Sequence, residues 1–384
     1  MSEGDGALAG MLVVDCSRML PGAVLARSLI DLGARLIKVE DPRGDMMRHA
    51  PPLVGGIGVG FCVYYRGAES LRLDLRAPQG LARLRRLLRR ADVFVESFRP
   101  GTLDSWGLDL DKLHTEYPRL ISCSLPGYAD DDRRVAHDLN LTGLTGLLGQ
   151  LPGSRLRHGS GEDIPRVLVA DINTGLLATS SVLAALVGRA TTGRGAKLHQ
   201  PLLSGSLPLL TWPWADRAAG GDGVLETVLA GRVPCYRCYR CGDGKLLSVG
   251  CLEPKFWQGL CQAIGRPELA AAGLDLGERG RAAADALAEL FATQSRSQWL
   301  AAFADKDLPI AAVHDLDDAR SEPIIASAGL LEHTPMPGGG VLTVPGPALP
   351  SIGRTPARSA PRLGEHDDAI LRELDAEPST NDPS

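Results

Sequence analysis

Long apolar runs are missing from this 384-residue chain. No stretch of about 18 apolar residues occurs, so a membrane-spanning helix is not expected. The N-terminus, MSEGDGALAG, lacks a basic region followed by a long apolar core, so a secretory signal is not expected either. An excess of positive charge is also missing. Lysine and arginine number 41 against 46 aspartates and glutamates, a net charge of −5, which leaves no overall basic footprint for nucleic acid. The basic run RLRRLLRR (83–90) has its leucines at helical spacing and reads as the solvated face of a helix. The turn after the first strand, SRMLPG, lacks the G-x-G-x-x-G that cradles a pyrophosphate, so a nicotinamide dinucleotide site is not expected. No internal repeat is present.

Cysteine is sparse: eight residues, with no export signal, read as reduced thiols of a cytoplasmic protein. One cluster, CYRCYRC, spaces Cys235, Cys238 and Cys241 in three-residue steps, with Cys251 beyond. That spacing suits zinc or an iron–sulfur cluster. The hairpin signal Asp243-Gly244 and the apolar run KLLSVG that follow favour a strand carrying cysteines instead.

What is there is an ordinary globular balance, 44% hydrophobic and 23% charged, in a chain long enough for two domains. The first ~125 residues alternate strand and helix patterns. Strands are expected at MLVVDCS (11–17), RLIKVEDP (35–42), DVFVESF (92–98) and LISCSLPG (120–127), with helices at 21–34, 78–91 and within 101–117. Such alternation predicts a parallel, Rossmann-like α/β sheet. NTGLLATSSVLAALVG (173–188) is apolar or small on nearly every side, the pattern of a helix buried inside the protein, and a strand AKLHQPLL follows it. The expected organisation is a large domain over 1–204, a connector over 205–230, a small α+β domain over 231–330, and a returning segment over 331–384 that ends in one helix (362–374) and a disordered tail.

At this point the residues carry a resemblance. The stretches DCSRMLPG, LGARLIKVEDP, LRLDLRAPQGLARLRRLLRRADVFVESFRPGTLDSWGL, PRLISCSLPGY, AHDLN, VADINTGLLATSSVLAAL, TGRG and YRCYRCGDGKLLSVGCLEPKFW resemble the class III CoA-transferase family (CaiB/BaiF type), in the branch that includes α-methylacyl-CoA racemases. The resemblance implies a Rossmann-like large domain, a small domain, and two chains interlocked as a homodimer. It implies an acyl thioester of coenzyme A as substrate, with no other cofactor, no nucleic acid and no membrane span.

Racemisation at C2 of a thioester needs a base at the α-hydrogen, dipoles at the carbonyl oxygen and an acid on the opposite face. His137, in AHDLN, and Asp171, in VADI, match the two proton carriers of the racemases, and Glu253, in CLEPKFW, matches their glutamate partner of the histidine. Alone, each has a plain structural reading. Asp171 would be a helix N-cap, Glu253 a first-turn acid ahead of Pro254, and His137 a surface histidine with Asp138 as the cap. At Asp171 burial would raise the proton affinity and a helix N-terminus would lower it.

Two other reactions stay open. In the transferases of the family the aspartate at 171 attacks the thioester carbonyl. A diverged member would isomerise, or eliminate from, a carrier-bound or pathway-specific thioester. The resemblance assigns Lys38, Arg66, Arg99 and Asp138 to the CoA handle, with Arg43 and Arg72 as further cations. YRGAES (65–70) departs from the family, with Ala68 and Glu69 in place of two basic residues, and acids fill 130–132. Both departures are expected to weaken CoA binding.

Overall fold

In a computed structural model, the residues described are 6–129, 134–151, 164–347 and 357–376. The expected acidic loop at 130–132 and the tail beyond 376 lie outside them. The chain divides into two compact units, Met1–Leu210 with Ala328–Ser384, and Thr211–Ser327.

The first unit is built on a six-stranded, wholly parallel sheet. Its strands are β1 (Leu12–Asp15), β2 (Arg35–Glu40), β5 (Glu69–Arg72), β6 (Val93–Glu96), β7 (Ile121–Ser124) and β8 (Lys197–His199). A two-residue hairpin, β3 (Leu53–Val54) and β4 (Ile57–Gly58), lies outside it. The order is β5-β2-β1-β6-β7-β8. Counted along the chain within the sheet this is 3-2-1-4-5-6, the Rossmann order, with its switch point between β1 and β6. The helices are α1 (Met19–Asp31), α2 (Val59–Tyr64), α3 (Pro78–Leu88), α4 (Thr102–Ser105), α5 (Leu110–Glu116), α6 (Asp138–Thr145) and α7 (Val169–Thr192).

The expected strands and helices of the first 125 residues form close to their assigned places, because each apolar run is buried. Val13, Val14, Leu36, Ile37, Phe94 and Ile121 are all within 1% of complete burial. The fifth strand, β5, has no counterpart in the sequence reading. Its residues, ESLR, begin and end in charge, and as an edge strand it is paired on one side only. Glu69 takes a bidentate bond from Arg35 of β2, at 2.9 and 2.7 Å.

Helix α7 departs from its expected environment. It packs along α1, burying Ala170, Thr174, Gly175, Ala178, Thr179 and Val182. Its opposite side is open: Leu176 is 38% and Val187 72% exposed. By length and composition it is the one described helix that would suffice to cross a membrane. Its packing on α1 explains the small, apolar character of one face only.

Gly175 sets the closeness of that packing. A Cβ there would meet the Pro21 carbonyl oxygen and the Val24 Cβ, each at 2.6 Å. Farther on, the Pro/Gly-rich returning segment contains a hairpin that has no counterpart in the sequence reading, β12 (Leu331–Pro335) with β13 (Val341–Pro345). Its turn uses three successive glycines, Gly338 to Gly340, all at positive φ, a conformation other residues rarely take.

The second unit has a three-stranded antiparallel sheet, β11-β10-β9, from β9 (Tyr236–Arg240), β10 (Leu246–Gly250) and β11 (Ile310–Val313). The β9–β10 turn holds Gly244 at φ 78°, as the Asp-Gly pair predicts. Helices Pro254–Ala263, Glu278–Phe291 and Arg296–Phe303 cover a core of Tyr239, Trp257, Phe291, Trp299 and Phe303. Cys235, Cys241 and Cys251 are buried in that core as small apolar residues, whereas Cys238 is exposed. Among the described residues no group of three His, Cys, Asp or Glu is arranged to hold a metal.

Replacing Gly175 with valine should therefore force α1 and α7 apart. A loss of about 1–3 kcal/mol is expected, read as an earlier unfolding transition by differential scanning calorimetry. An unchanged transition would show that the helix contact is not close.

Candidate active site

The first turn of α7 brings Asp171 into a mostly apolar corner. Leu168 is the helix cap, and Asp171 is the third helical residue. It is therefore not the N-cap that the sequence allowed. The Thr174 hydroxyl donates back to the Ala170 carbonyl at 2.8 Å, so it does not serve Asp171. Beside it, Tyr128, Leu141 and Ala170 form a small apolar cluster with Leu202 and Leu203.

Helix α6 meets this corner through one hydrogen bond. The Asp171 backbone N–H donates to Oδ1 of Asp138 at 3.0 Å, linking the first turns of two helices. Both aspartates are buried, at 7% and 9% exposure. The Asp171 Oδ1 has no hydrogen-bond partner. Burial, and then the charge of Asp138, push the Asp171 carboxyl up from 3.8 to about 7. Of the two opposing effects expected at this position, the upward one, burial, is the direction the carboxyl group takes.

His137 directly precedes α6. Its backbone N–H donates to the Asn140 side-chain oxygen at 3.0 Å, so residue 137, not Asp138, occupies the cap position. The imidazole is exposed. Glu253 belongs to the second unit, where it precedes Pro254 at the start of a helix, exposed and without a side-chain capping bond.

Two of the cations assigned to the CoA handle lie inside the protein. Lys38 is 1% exposed and pairs with Asp15 at 3.3 Å and Asp45 at 3.4 Å, above the Tyr65 ring. Burial works against its charge, but Asp15, Tyr65 and Asp45 outweigh it and hold Lys38 above the ordinary lysine range. Arg66 is 3% exposed and committed to Asp31 at 2.5 Å and Glu332 at 2.8 Å. Its guanidinium joins α1 to β12, a placement unlike an open phosphate contact.

The expected effect of residues 68 and 69 also changes. Ala68 is buried, and the Glu69 carboxylate is bonded to Arg35, so neither puts a free charge into a ligand cavity. Arg72 pairs with Asp367 at 2.8 Å.

A cavity opens at the carboxyl ends of β1 and β2, at the switch point, lined by Ser17, Arg18, Asp41, Asp74, Arg76 and Trp106 among others. Ser17 is 1% exposed and its hydroxyl has no partner. Arg18 and Arg76, on the cavity wall, went unnoticed in the sequence; the only available signal was their position just after β1 and β5. Arg43, exposed, approaches Asp41 at 3.7 Å. Arg99 is exposed in the wall of a second crevice of about 560 Å³, with Glu96, Ser124 and His199.

The high proton affinity of Asp171 has a stability consequence. In the unfolded chain the carboxyl ionises near 3.8, in the folded chain near 7. Stability is therefore lost as pH rises between these values, and the loss is complete above 7. Asp171→Asn is expected to unfold at a higher temperature than the native chain at pH 8.5, by a few degrees. The difference should vanish near pH 4. Calorimetry at the two pH values checks this, and equal shifts at both would contradict it.

Comparison with known proteins follows the same lines. CoA-transferase family III matches residues 8–367. Human α-methylacyl-CoA racemase is 30% identical over 388 residues, covering 96% of this chain and 93% of that protein. Human succinyl-CoA:glutarate CoA-transferase is 29% identical over 384 residues, covering 96% and 86%. The crystal structure of a CaiB/BaiF family protein from Brucella suis has a TM-score of 0.78 at 29% identity, covering 96% of this chain and all of its own. That of a hypothetical protein from Mycobacterium tuberculosis has a TM-score of 0.81 at 25% identity, covering 96% and 100%. A parallel sheet in Rossmann order, motifs matched from end to end, and relatives similar over nearly their whole length lead to one conclusion: this chain belongs to CoA-transferase family III.

Proposed function

We propose that the protein racemises a 2-methylacyl-CoA, or a closely related acyl thioester, by moving a proton at the carbon next to the carbonyl. Asp171 and His137 are the two proton carriers. One takes the α-hydrogen, the thioester carbonyl holds the charge as an enolate, and the other returns a proton to the opposite face. Glu253 is assigned to the same reaction by its match to the glutamate of the racemases. The cavity at the carboxyl ends of β1 and β2 receives the CoA handle, with Arg18 and Arg76 as its cations and Arg99, in the second crevice, as a further one.

The observation that carries this reading is the state of Asp171. A group that must give a proton in one direction and take it in the other works best with a pKa near ambient pH. A buried carboxyl at about 7, with one oxygen unpartnered, meets that requirement. A carboxylate acting as a nucleophile would profit instead from being fully ionised.

The test uses a single enantiomer of a 2-methylacyl-CoA in heavy water. Deuterium at C2 with loss of optical purity is expected, following a bell-shaped pH profile with its maximum near neutrality. Asp171→Asn should lower racemisation by about 10²-fold or more, while exchange persists on the enantiomer whose hydrogen faces His137. Acyl exchange onto an added carboxylic acid, through a hydroxylamine-sensitive mixed anhydride formed on Asp171 as CoA leaves, would replace this reading with acyl transfer.

The reading includes a homodimer. Leu139 and Leu144 on α6, Leu176 and Val187 on α7, and Trp212 and Trp214 are large apolar side chains left exposed on the single chain, Trp212 by 68%. Sedimentation should give twice the 40.7 kDa chain mass. A monomer at micromolar concentration would contradict it.

A further inference from the structure

Asp138 touches Asp171 more directly than any other charged residue described. Its Oδ1 accepts the Asp171 N–H at 3.0 Å. Its backbone carbonyl is bonded by the Thr142 hydroxyl at 2.9 Å, so the first turn of α6 is braced from within. Both carboxyl groups are buried. The bond to the amide therefore has two effects. It fixes the backbone of residue 171, and it holds a negative charge against a carboxyl group that, among the described residues, pairs with no cation.

Among the described residues, the other elements packed around Asp171 bring one cation near it, Arg134, whose guanidinium lies 4.4 Å from the Tyr128 ring, and none that pairs with its carboxyl group. The first turns of α1, Met19 to Val24, carry no charged side chain, and Arg27 and Asp31 farther along pair with each other at 3.6 Å. The turn Leu202–Gly205 has no titratable group, and β7 carries only Cys123. Tyr128 borders the site in the apolar cluster. On α7 itself, Arg189 pairs with Asp92 at 2.9 Å, five turns away. His137, beside Asp138, is exposed.

We infer that Asp138 is a positioning residue for the reaction: it seats the amide of Asp171 while its fixed charge keeps the neighbouring carboxyl able to donate a proton at neutral pH. This rests on the reading of Asp171 as a proton carrier. It gives Asp138 a role different from contacting the CoA handle. The two carboxyl groups act as an unequal pair, one accepting from the backbone and the other left to exchange protons.

Asparagine at 138 separates the two effects, because its side-chain oxygen still accepts the Asp171 N–H while the charge is gone. The protonation of Asp171 can be read without any substrate, from its rate of carbodiimide labelling in the full chain between pH 5 and 9, quantified by peptide mass spectrometry. Only the protonated carboxyl reacts readily. In Asp138→Asn the midpoint of labelling is expected about one pH unit lower than in the native chain, with unchanged thermal stability at pH 5. The alkaline limb of deuterium exchange should move the same way. Asp138→Ala, which also removes the acceptor, should lose stability as well. An unmoved midpoint in Asp138→Asn would overturn the inference. A shifted midpoint in a protein that exchanges no deuterium would leave the inference standing and sink the racemase reading instead.

Discussion

Where α7 crosses α1, the chain has no room for a side chain at Gly175, and the same is true at Gly205 against the Ala170 carbonyl. These two contacts seat the first turn of α7, and with it the backbone of residue 171. The seat is lined by apolar side chains, and on one side backbone meets backbone. The chemistry assigned to Asp171 depends on that corner staying tight.

The first unit buries many other charges, and the contrast is instructive. Glu40 accepts from Arg48 at 2.6 and 2.7 Å, from the Ser70 hydroxyl and from the Asp45 amide. Lys38 sits between Asp15 and Asp45. Arg66 bridges Asp31 and Glu332. In each case a buried charge meets an opposite one, the usual condition for tolerating it. Among the described residues Asp171 has no such cation, as Glu96 and Asp138 have none; unlike Glu96, which accepts from the Phe98 amide, it has an aspartate for a neighbour and one oxygen without a partner. Satisfied networks hold the sheet together, and the uncompensated carboxyl is where reactivity would reside.

Much of this was legible in the sequence. Buried parallel strands announce themselves as short apolar runs, and the β9–β10 turn as Asp-Gly. The strand β5 was not legible, because an edge strand with charge at both ends has little apolar pattern. Nor was the hairpin at residues 331–345, whose glycines look like a loop until their positive φ values are known. Among the site residues, the motifs around His137, Asp171 and Glu253 stood out. The internal commitment of Lys38 and Arg66 did not, since one sequence does not reveal whether a cation faces a ligand or a carboxylate distant in the chain. Glu332, the partner of Arg66, lies 266 residues away.

The returning segment adds one more consequence. Arg35, Arg72 and Arg86 reach Glu373, Asp367 and Asp375, and Arg48 donates to the Pro361 carbonyl. Ile370 and Leu374 complete the same apolar cluster as Val14, Ile37 and Leu84. A ribosome makes these pieces only after the inserted unit. During synthesis, that unit has all of its own strands and core before the sheet that precedes it can be sealed. The older part of the chain must wait, with one flank unsealed, for residues 361–375.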